Sequence, residues 1–175
     1  GAEEFYNPIA AGDVVDIEIV PHNKHNGVIL GVRERKNALT RWNRKRMAVQ
    51  LIASNIDTLF CMTTPDEPPF RPRFLDRLLL TEYENINKII LLNKSDLEIS
   101  EQIQERLSDF ERIGYRVIMC SAVTGEGLED VNNLAKTSVC AFAGQSGVGK
   151  STVINIITGK QIQKTGEISK KYNRG

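Results

Sequence analysis

A glycine-rich segment at residues 144–151 carries the clearest chemical signal in the sequence. Its letters, GQSGVGKS, match the phosphate-binding pattern G-x-x-x-x-G-K-[ST] at every fixed position. The glycines let backbone N–H groups curl around a phosphate, and a helix N-terminus adds partial positive charge there. We expect Lys150 to contact the outer phosphates as the catalytic residue, and Ser151 to offer its hydroxyl to Mg²⁺. The predicted nucleotide-binding residues of this segment are Gly144, Gln145, Ser146, Gly147, Val148, Gly149, Lys150, Ser151 and Thr152.

A second segment, residues 93–96, reads N-K-S-D and follows the apolar run Lys88–Leu92. An ionised Asp96 can accept two hydrogen bonds from the N1–H and N2 amine of guanine, where adenine offers no matching pair of donors. Lys94 can lay its aliphatic stem along the base, and Asn93 can hydrogen-bond a neighbouring loop. A polar turn is the common alternative for so short a motif, but its pairing with a phosphate-binding loop favours guanine recognition.

The third segment is the dipeptide Ser121-Ala122, which follows the strand-like run Tyr115–Cys120. Many GTPases carry such a dipeptide, with its backbone N–H groups facing the guanine O6. The dipeptide means little alone, but its place between the N-K-S-D segment and the helical pattern that begins near Leu128 adds weight. We therefore include both residues in the predicted nucleotide site.

The elements that must position these segments alternate between strand-length apolar runs and amphipathic helical patterns from about Ala48 onward. This alternation predicts an α/β domain with a parallel, doubly wound sheet. The three segments each follow a predicted strand, so they should meet at the carboxyl edge of the sheet, where such folds bind ligands. The alternative for residues 144–151, a glycine-rich turn that binds nothing, is disfavoured by this arrangement.

The first 47 residues have a different pattern. The strand-like runs Val14–Val20 and Gly27–Val32 are separated by turn-forming residues, which predicts part of a small β-barrel or sandwich. We place the domain boundary between residues 47 and 48. We interpret His22 and His25, in the turn-rich stretch, as surface residues rather than metal ligands.

The order of the motifs is permuted, because ordinary GTPases have the phosphate-binding loop first and the guanine motifs later. The order found here, with a small β domain first, the guanine motifs next and the phosphate-binding loop last, resembles that of the ribosome small-subunit-dependent GTPases of bacteria, the RsgA/YjeQ family. Four further stretches are similar to that family: Gly12–Val15, Arg33–Lys36, Ala53–Asp57 and Gly166–Ser169. The resemblance covers nearly the whole chain.

The resemblance implies a partial OB-fold β-barrel at residues 1–47 and a circularly permuted P-loop GTPase domain at residues 48–175. It implies hydrolysis of GTP to GDP with Mg²⁺, in maturation of the small ribosomal subunit and stimulated by that subunit. Zinc is expected only in a further C-terminal domain of the family, not in this chain. The chain begins inside the OB-fold and ends before the switch threonines, so we expect a fragment that binds GDP better than it hydrolyses GTP.

A basic stretch surrounds Trp42, and the OB-like setting favours rRNA contact through phosphates and a stacked base. The alternative is a solvated, mobile loop. The predicted RNA-binding residues are Arg33, Arg35, Lys36, Arg41, Trp42, Arg44, Lys45 and Arg46.

Composition agrees with a globular protein, because 41% of the 175 residues are hydrophobic and the net charge is only +1. Cys61, Cys120 and Cys140 have no metal-site or redox spacing, so we expect buried thiols in the reducing cytoplasm. No run is long enough to span a membrane. We expect a cytoplasmic monomer.

Two competing hypotheses remain: an rRNA-docking module with a structural guanine nucleotide, and an ATP-dependent kinase, which Asp96 disfavours.

Overall fold

The computed structural model describes residues 6–20, 26–81 and 85–160, and these residues contain eight strands and four helices. The chain divides into two compact units. The first comprises residues 1–57 and 82–86, and the second comprises residues 58–81 and 87–175. Each unit contains its own sheet structure, as the change of pattern along the sequence predicts.

The first unit is built from two antiparallel strand pairs. One pair joins β1 (Val15–Ile19) to β2 (Gly27–Val32), and the other joins β3 (Ala38–Asn43) to β4 (Ala48–Ser54). The first pair matches the predicted strands, and the all-β character agrees with a partial β-barrel. The β3–β4 hairpin was not predicted, because basic side chains obscure the strand pattern of β3.

The boundary between the units lies at residue 57, ten residues after the predicted one. The predicted boundary falls in the turn between β3 and β4. These two strands pair along their length, from Ala38 opposite Ser54 to Asn43 opposite Ala48. A division there would separate two strands that supply each other's ladder hydrogen bonds. The strand β4 therefore belongs to the first unit and not to the α/β domain.

A buried carboxylate ties the segment before β1 to the end of β4. Asp13 accepts hydrogen bonds from the Arg35 guanidinium at 2.7 and 2.9 Å, from the Ser54 hydroxyl at 2.5 Å and from the Ala10 N–H at 2.9 Å. Burial alone would raise the pKa of Asp13. The Arg35 hydrogen bond, together with those from Ser54 and Ala10, has the larger effect and holds this pKa well below its usual range. Gly12 is required beside it, because a Cβ there would lie 2.0 Å from the Ser54 carbonyl oxygen.

The second unit is a parallel four-stranded sheet with the strand order β7-β6-β5-β8. Its strands are β5 (Thr58–Thr63), β6 (Asn87–Leu92), β7 (Arg116–Met119) and β8 (Cys140–Gly144). The helices α1 (Pro72–Leu79), α2 (Glu101–Arg112) and α3 (Leu128–Thr137) connect them, and α4 (Lys150–Thr158) follows β8. The predicted α/β alternation is confirmed.

The two central strands form the core of this unit. Every residue of β5 is buried, as are the last four residues of β6, which is what a parallel sheet covered on both faces requires. Phe60 of β5 stacks on Phe142 of β8, with ring centroids 4.8 Å apart. Because the chain moves from β5 outward to β7 and then returns to β8 on the other side, the strand order reverses at β5. That reversal opens the crevice in which α/β sheets bind ligands.

Within the described part of the chain, no helix is long and apolar enough to cross a membrane.

Candidate nucleotide-binding site

The three predicted motifs lie at the carboxyl edge of the sheet. Residues 93–96 follow β6, Ser121-Ala122 lies just beyond the end of β7, and residues 145–149 connect β8 to α4. Because the strands are parallel and neighbouring, their carboxyl ends bring these loops to one side of the sheet. The structure therefore brings together the segments that the sequence places in one site.

The glycines of the loop at 144–149 are demanded by close approaches. A Cβ at Gly144 would lie 2.7 Å from the Met62 carbonyl oxygen, and one at Gly149, where φ is +91°, would lie 2.3 Å from the Asn93 side-chain nitrogen. Between them, Val148 is 1% exposed and packs into the core. Among the described residues, no backbone carbonyl accepts a hydrogen bond from the N–H groups of residues 146–149. These N–H groups are donors suited to an anion.

Lys150 lies at the start of α4 and bends back over the loop. Its ammonium donates hydrogen bonds to the carbonyl oxygens of Gly144 at 2.9 Å and Gln145 at 2.6 Å. Burial lowers the pKa of Lys150, since the charged ammonium loses water. A positive charge held at the mouth of an N–H cradle and a helix N-terminus has the chemistry of a phosphate site.

Ser151 is half-buried in the first turn of α4, and Thr152 beside it is exposed. The Ser151 hydroxyl fits Mg²⁺, which prefers oxygen ligands and usually keeps several waters and substrate phosphates as its other ligands. The described residues contain no group of three or more His, Cys, Asp or Glu side chains that could hold a metal by themselves.

Asn93 joins all three loops through one buried side chain, which is 1% exposed. Its Nδ2 donates to the Val148 carbonyl oxygen at 2.9 Å, in the phosphate-binding loop. Its Oδ1 accepts hydrogen bonds from the Ala122 N–H at 3.1 Å and from the Cys120 thiol at 3.7 Å. Because Asn93 is turned inward, its side chain holds the three loops together.

Asp96 is exposed, and one of its carboxylate oxygens is held by Ser121. The Ser121 hydroxyl donates to Asp96 Oδ1 at 2.5 Å and accepts the N–H groups of Val123 and Thr124, each at 3.1 Å. Ser121 is fully buried, so its hydroxyl supports the loop after β7 and orients the carboxylate. Asp96 as a whole is exposed, so its carboxylate is accessible to a ligand.

Lys94 has the left-handed backbone conformation, with φ at +64°. Its ammonium donates a short hydrogen bond to the Glu67 carbonyl oxygen, in the loop between β5 and α1. This contact holds the Lys94 side chain against the loop between β5 and α1.

Sequence reasoning named Cys120 at the start of the third segment and as a buried thiol, but left it out of the predicted site. The residue directly follows β7, is fully buried and contacts the N-K-S-D segment. Its position immediately before Ser121-Ala122 is the signal that identifies it.

The predicted RNA-binding residues separate into two groups. The first group, Arg33, Arg35 and Lys36, makes ion pairs with Asp16, Asp13 and Asp57, respectively. The Arg35 side chain is only 19% exposed, and its pair is part of the buried network around Asp13. The structure therefore gives Arg35 a role in holding the first unit together.

The second group lies on the β3–β4 hairpin, with Arg41 and Trp42 on β3 and the remaining basic residues in the turn that follows. Trp42 on β3 is 55% exposed, and Arg44 and Lys45 are exposed in the turn that follows. Arg41 donates to the Gln50 side chain on the paired strand at 3.0 and 3.1 Å. Arg46 lies over the Tyr6 ring, 5.2 Å from its centroid.

The sheet order, the three loops and their order along the chain define a circularly permuted P-loop GTPase domain. The family model described as RsgA GTPase matches residues 32–175, and the chain belongs to that family. The resemblance seen in the sequence is confirmed.

Relatives and one solved structure agree with this assignment. The chain is 40% identical to "Small ribosomal subunit biogenesis GTPase RsgA" of Borrelia recurrentis, over 99% of this chain and 55% of that protein. It is 36% identical to the protein of the same name in Chlorobaculum parvum, over 98% of this chain and 58% of that protein. The crystal structure of YjeQ from Thermotoga maritima is similar with a TM-score of 0.66 at 29% identity, over 85% of this chain and 51% of that one. The chain thus spans about half the length of the relatives it matches.

Three predictions fall outside the described residues. They are the surface positions of His22 and His25 and the first-switch entry at residues 166–169.

Proposed function

We propose that this chain binds GTP and GDP together with Mg²⁺, and that it hydrolyses GTP during maturation of the small ribosomal subunit, which stimulates the reaction. The observation that carries the proposal is the Asn93 side chain, which joins the guanine-motif loop to the phosphate-binding loop. The names of the relatives, small ribosomal subunit biogenesis GTPases, support the cellular role.

Selection of guanine follows from Asp96 and from the Ser121 hydroxyl that holds it. With Ser121 holding one carboxylate oxygen, Asp96 presents a fixed acceptor edge to the paired donors of guanine. Adenine would set its N1 acceptor against the same carboxylate, and that arrangement is repulsive. The Lys94 stem covers a face of the base, as its extended position beside Glu67 supports.

Phosphate binding follows from the loop at residues 144–149 and from Lys150. The backbone N–H groups of the loop donate to phosphate oxygens, and the Lys150 ammonium exchanges the carbonyls of Gly144 and Gln145 for phosphate. Mg²⁺, when bound, would neutralise charge that develops on the phosphates during hydrolysis. Ser151 would supply one of its ligands, and Thr152 follows at the mouth of the site.

The β3–β4 hairpin is the part of the first unit best suited to contact rRNA. Trp42 offers an exposed ring for base stacking, while Arg44 and Lys45 offer charge to phosphates. Arg41 and Arg46 flank them on the same hairpin. Arg33 and Lys36 are exposed but paired with carboxylates, so their contribution to an RNA interface is smaller.

Turnover distinguishes this function from that of an rRNA-docking module that keeps guanine nucleotide as a structural ligand. The test measures phosphate release from GTP by the full-length protein, alone and with purified small ribosomal subunits. The proposal expects slow release that the subunit increases at least about tenfold, as activating partners do for other GTPases. GDP binding without any release in either condition would support the docking module instead. The variant Lys150→Ala should abolish the release and serves as the background.

A further inference from the structure

We propose that Cys120 is a positioning residue for guanine recognition, which fixes the N-K-S-D loop by contacts from its backbone and its thiol. Its role rests on the nucleotide binding proposed above. Cys120 would touch no nucleotide atom. It would act through the Asn93 side chain and through the backbone of Leu92 and Ser95.

The backbone of Cys120 brackets the loop on both sides. Its N–H donates to the carbonyl oxygen of Leu92, the residue before Asn93, at 2.8 Å. Its carbonyl oxygen accepts the N–H of Ser95, the residue before Asp96, at 3.0 Å. These two bonds hold the start and the end of the N-K-S-D segment against the end of β7.

The thiol adds a third contact, to the buried side chain of Asn93. Cys120 Sγ lies 3.7 Å from Asn93 Oδ1, the oxygen that also accepts the Ala122 N–H. Burial raises the pKa of the Cys120 thiol to about 12, so the group stays protonated and is a donor at neutral pH. The thiol thereby orients the Asn93 amide so that its Nδ2 faces Val148 in the phosphate-binding loop.

Cys61 provides a natural control in the same sheet. Both thiols are fully buried, and burial raises the pKa of each to about 12. The hydrogen-bond partner of Cys61 is the Leu59 carbonyl oxygen of its own strand, at 4.0 Å, in the middle of β5 and away from the loops. Truncating Cys61 or Cys120 to alanine removes the same atom from a buried site, but only Cys120 contacts the guanine-motif loop.

The experiment compares Cys120→Ala, Cys120→Ser and Cys61→Ala in the full-length protein. The dissociation rate of fluorescently labelled GDP is measured by chase with excess GDP, and the free energy of unfolding is measured in urea. We expect both alanine variants to lower the unfolding free energy, because each leaves a small cavity. Only Cys120→Ala should release GDP faster, by about threefold to tenfold, the effect of losing one buried hydrogen bond.

Cys120→Ser should release GDP within about twofold of the wild-type rate, since the serine hydroxyl is also a donor. If Cys120→Ala fails to fold, Cys120→Val replaces it, because valine fills the space without a donor. The positioning role would be overturned if Cys120→Ala released GDP at the wild-type rate, or if Cys61→Ala released GDP as fast as Cys120→Ala does. Either result would leave the proposed function intact. A wild-type protein that binds no GDP would instead overturn the proposed function and the role of Cys120 with it.

Discussion

The side-chain nitrogen of Asn93 donates a 2.9 Å hydrogen bond to the backbone carbonyl oxygen of Val148, and both residues are 1% exposed. One end of this bond belongs to the loop after β6 and the other to the loop after β8. A buried amide-to-carbonyl bond is costly to leave unmade, so the two loops keep one relative geometry. In the proposed function, recognition of the base and binding of the phosphates are therefore coupled through a residue that contacts neither.

Replacing Asn93 with alanine should weaken GDP binding at least about tenfold. The change leaves the Val148 carbonyl and the Ala122 N–H without their partner in a buried place, and the loops lose their common support. Isothermal titration with GDP measures the effect. Asn87→Ala is the matched control, because Asn87 is an exposed asparagine at the start of the same strand. Equal GDP affinity in Asn93→Ala and Asn87→Ala would refute the coupling.

The β3–β4 hairpin should contribute to binding of the small ribosomal subunit. We expect the triple change Trp42→Ala, Arg44→Glu and Lys45→Glu to weaken binding at least about tenfold at low salt, because a stacking ring and two cations are lost. Sedimentation with purified subunits over a range of salt concentrations measures the affinity, and its dependence on salt should become shallower.

The control for the hairpin is a double change of equal charge on the second unit, Arg73→Glu with Arg112→Glu. Both side chains are exposed on helices and lie outside the hairpin. If the hairpin variant sediments with the subunit as well as this control does, the hairpin is not an RNA contact.

The buried Asp13 network should make the stability of the first unit depend on pH. The folded-state pKa of Asp13 lies well below the unfolded value of about 3.9, mainly because of the Arg35 hydrogen bond. Its contribution is complete above the unfolded pKa and is lost as the pH falls below about 4 towards the folded pKa. Asp13→Asn should therefore cost roughly 1.5–3 kcal/mol at neutral pH, with a smaller difference from wild type under acid conditions.

Urea unfolding at several pH values measures this difference, and Asp16→Asn is its control. Asp16 pairs with Arg33 at 2.6 Å, but both side chains are more than half exposed, so this pair contributes little to stability. A cost for Asp13→Asn that does not shrink in acid would contradict the assigned pKa.

The α/β unit could be predicted almost element by element from the sequence. Its central strands are continuous apolar runs such as Leu59–Met62, and its loops carry residue types whose spacing is set by phosphate and guanine chemistry. The glycines at 144 and 149 were expected for the same reason, and the close approaches at both positions agree with it.

The first unit was less predictable because its stability depends on contacts distant in sequence. Arg35 and Asp13 are 22 residues apart, and nothing local shows that this arginine is paired rather than presented to RNA. The hairpin was missed because Arg41 and Trp42 lie on a strand whose side chains are mostly half-exposed, and such a strand has no clear apolar alternation. Cys120 shows the same limit in the second unit, since its contact with Asn93 depends on the pairing of β6 with β7.

The most direct test of guanine recognition is a comparison of GDP and XDP binding by the wild-type protein and by Asp96→Asn. Xanthine carries a carbonyl where guanine carries the N2 amine, so the asparagine amide can donate to it, whereas the aspartate cannot. We predict that wild type prefers GDP, and that Asp96→Asn loses GDP affinity at least about a hundredfold and prefers XDP. A variant that keeps its preference for GDP would contradict base reading by Asp96, and with it the central claim that this site recognises guanine.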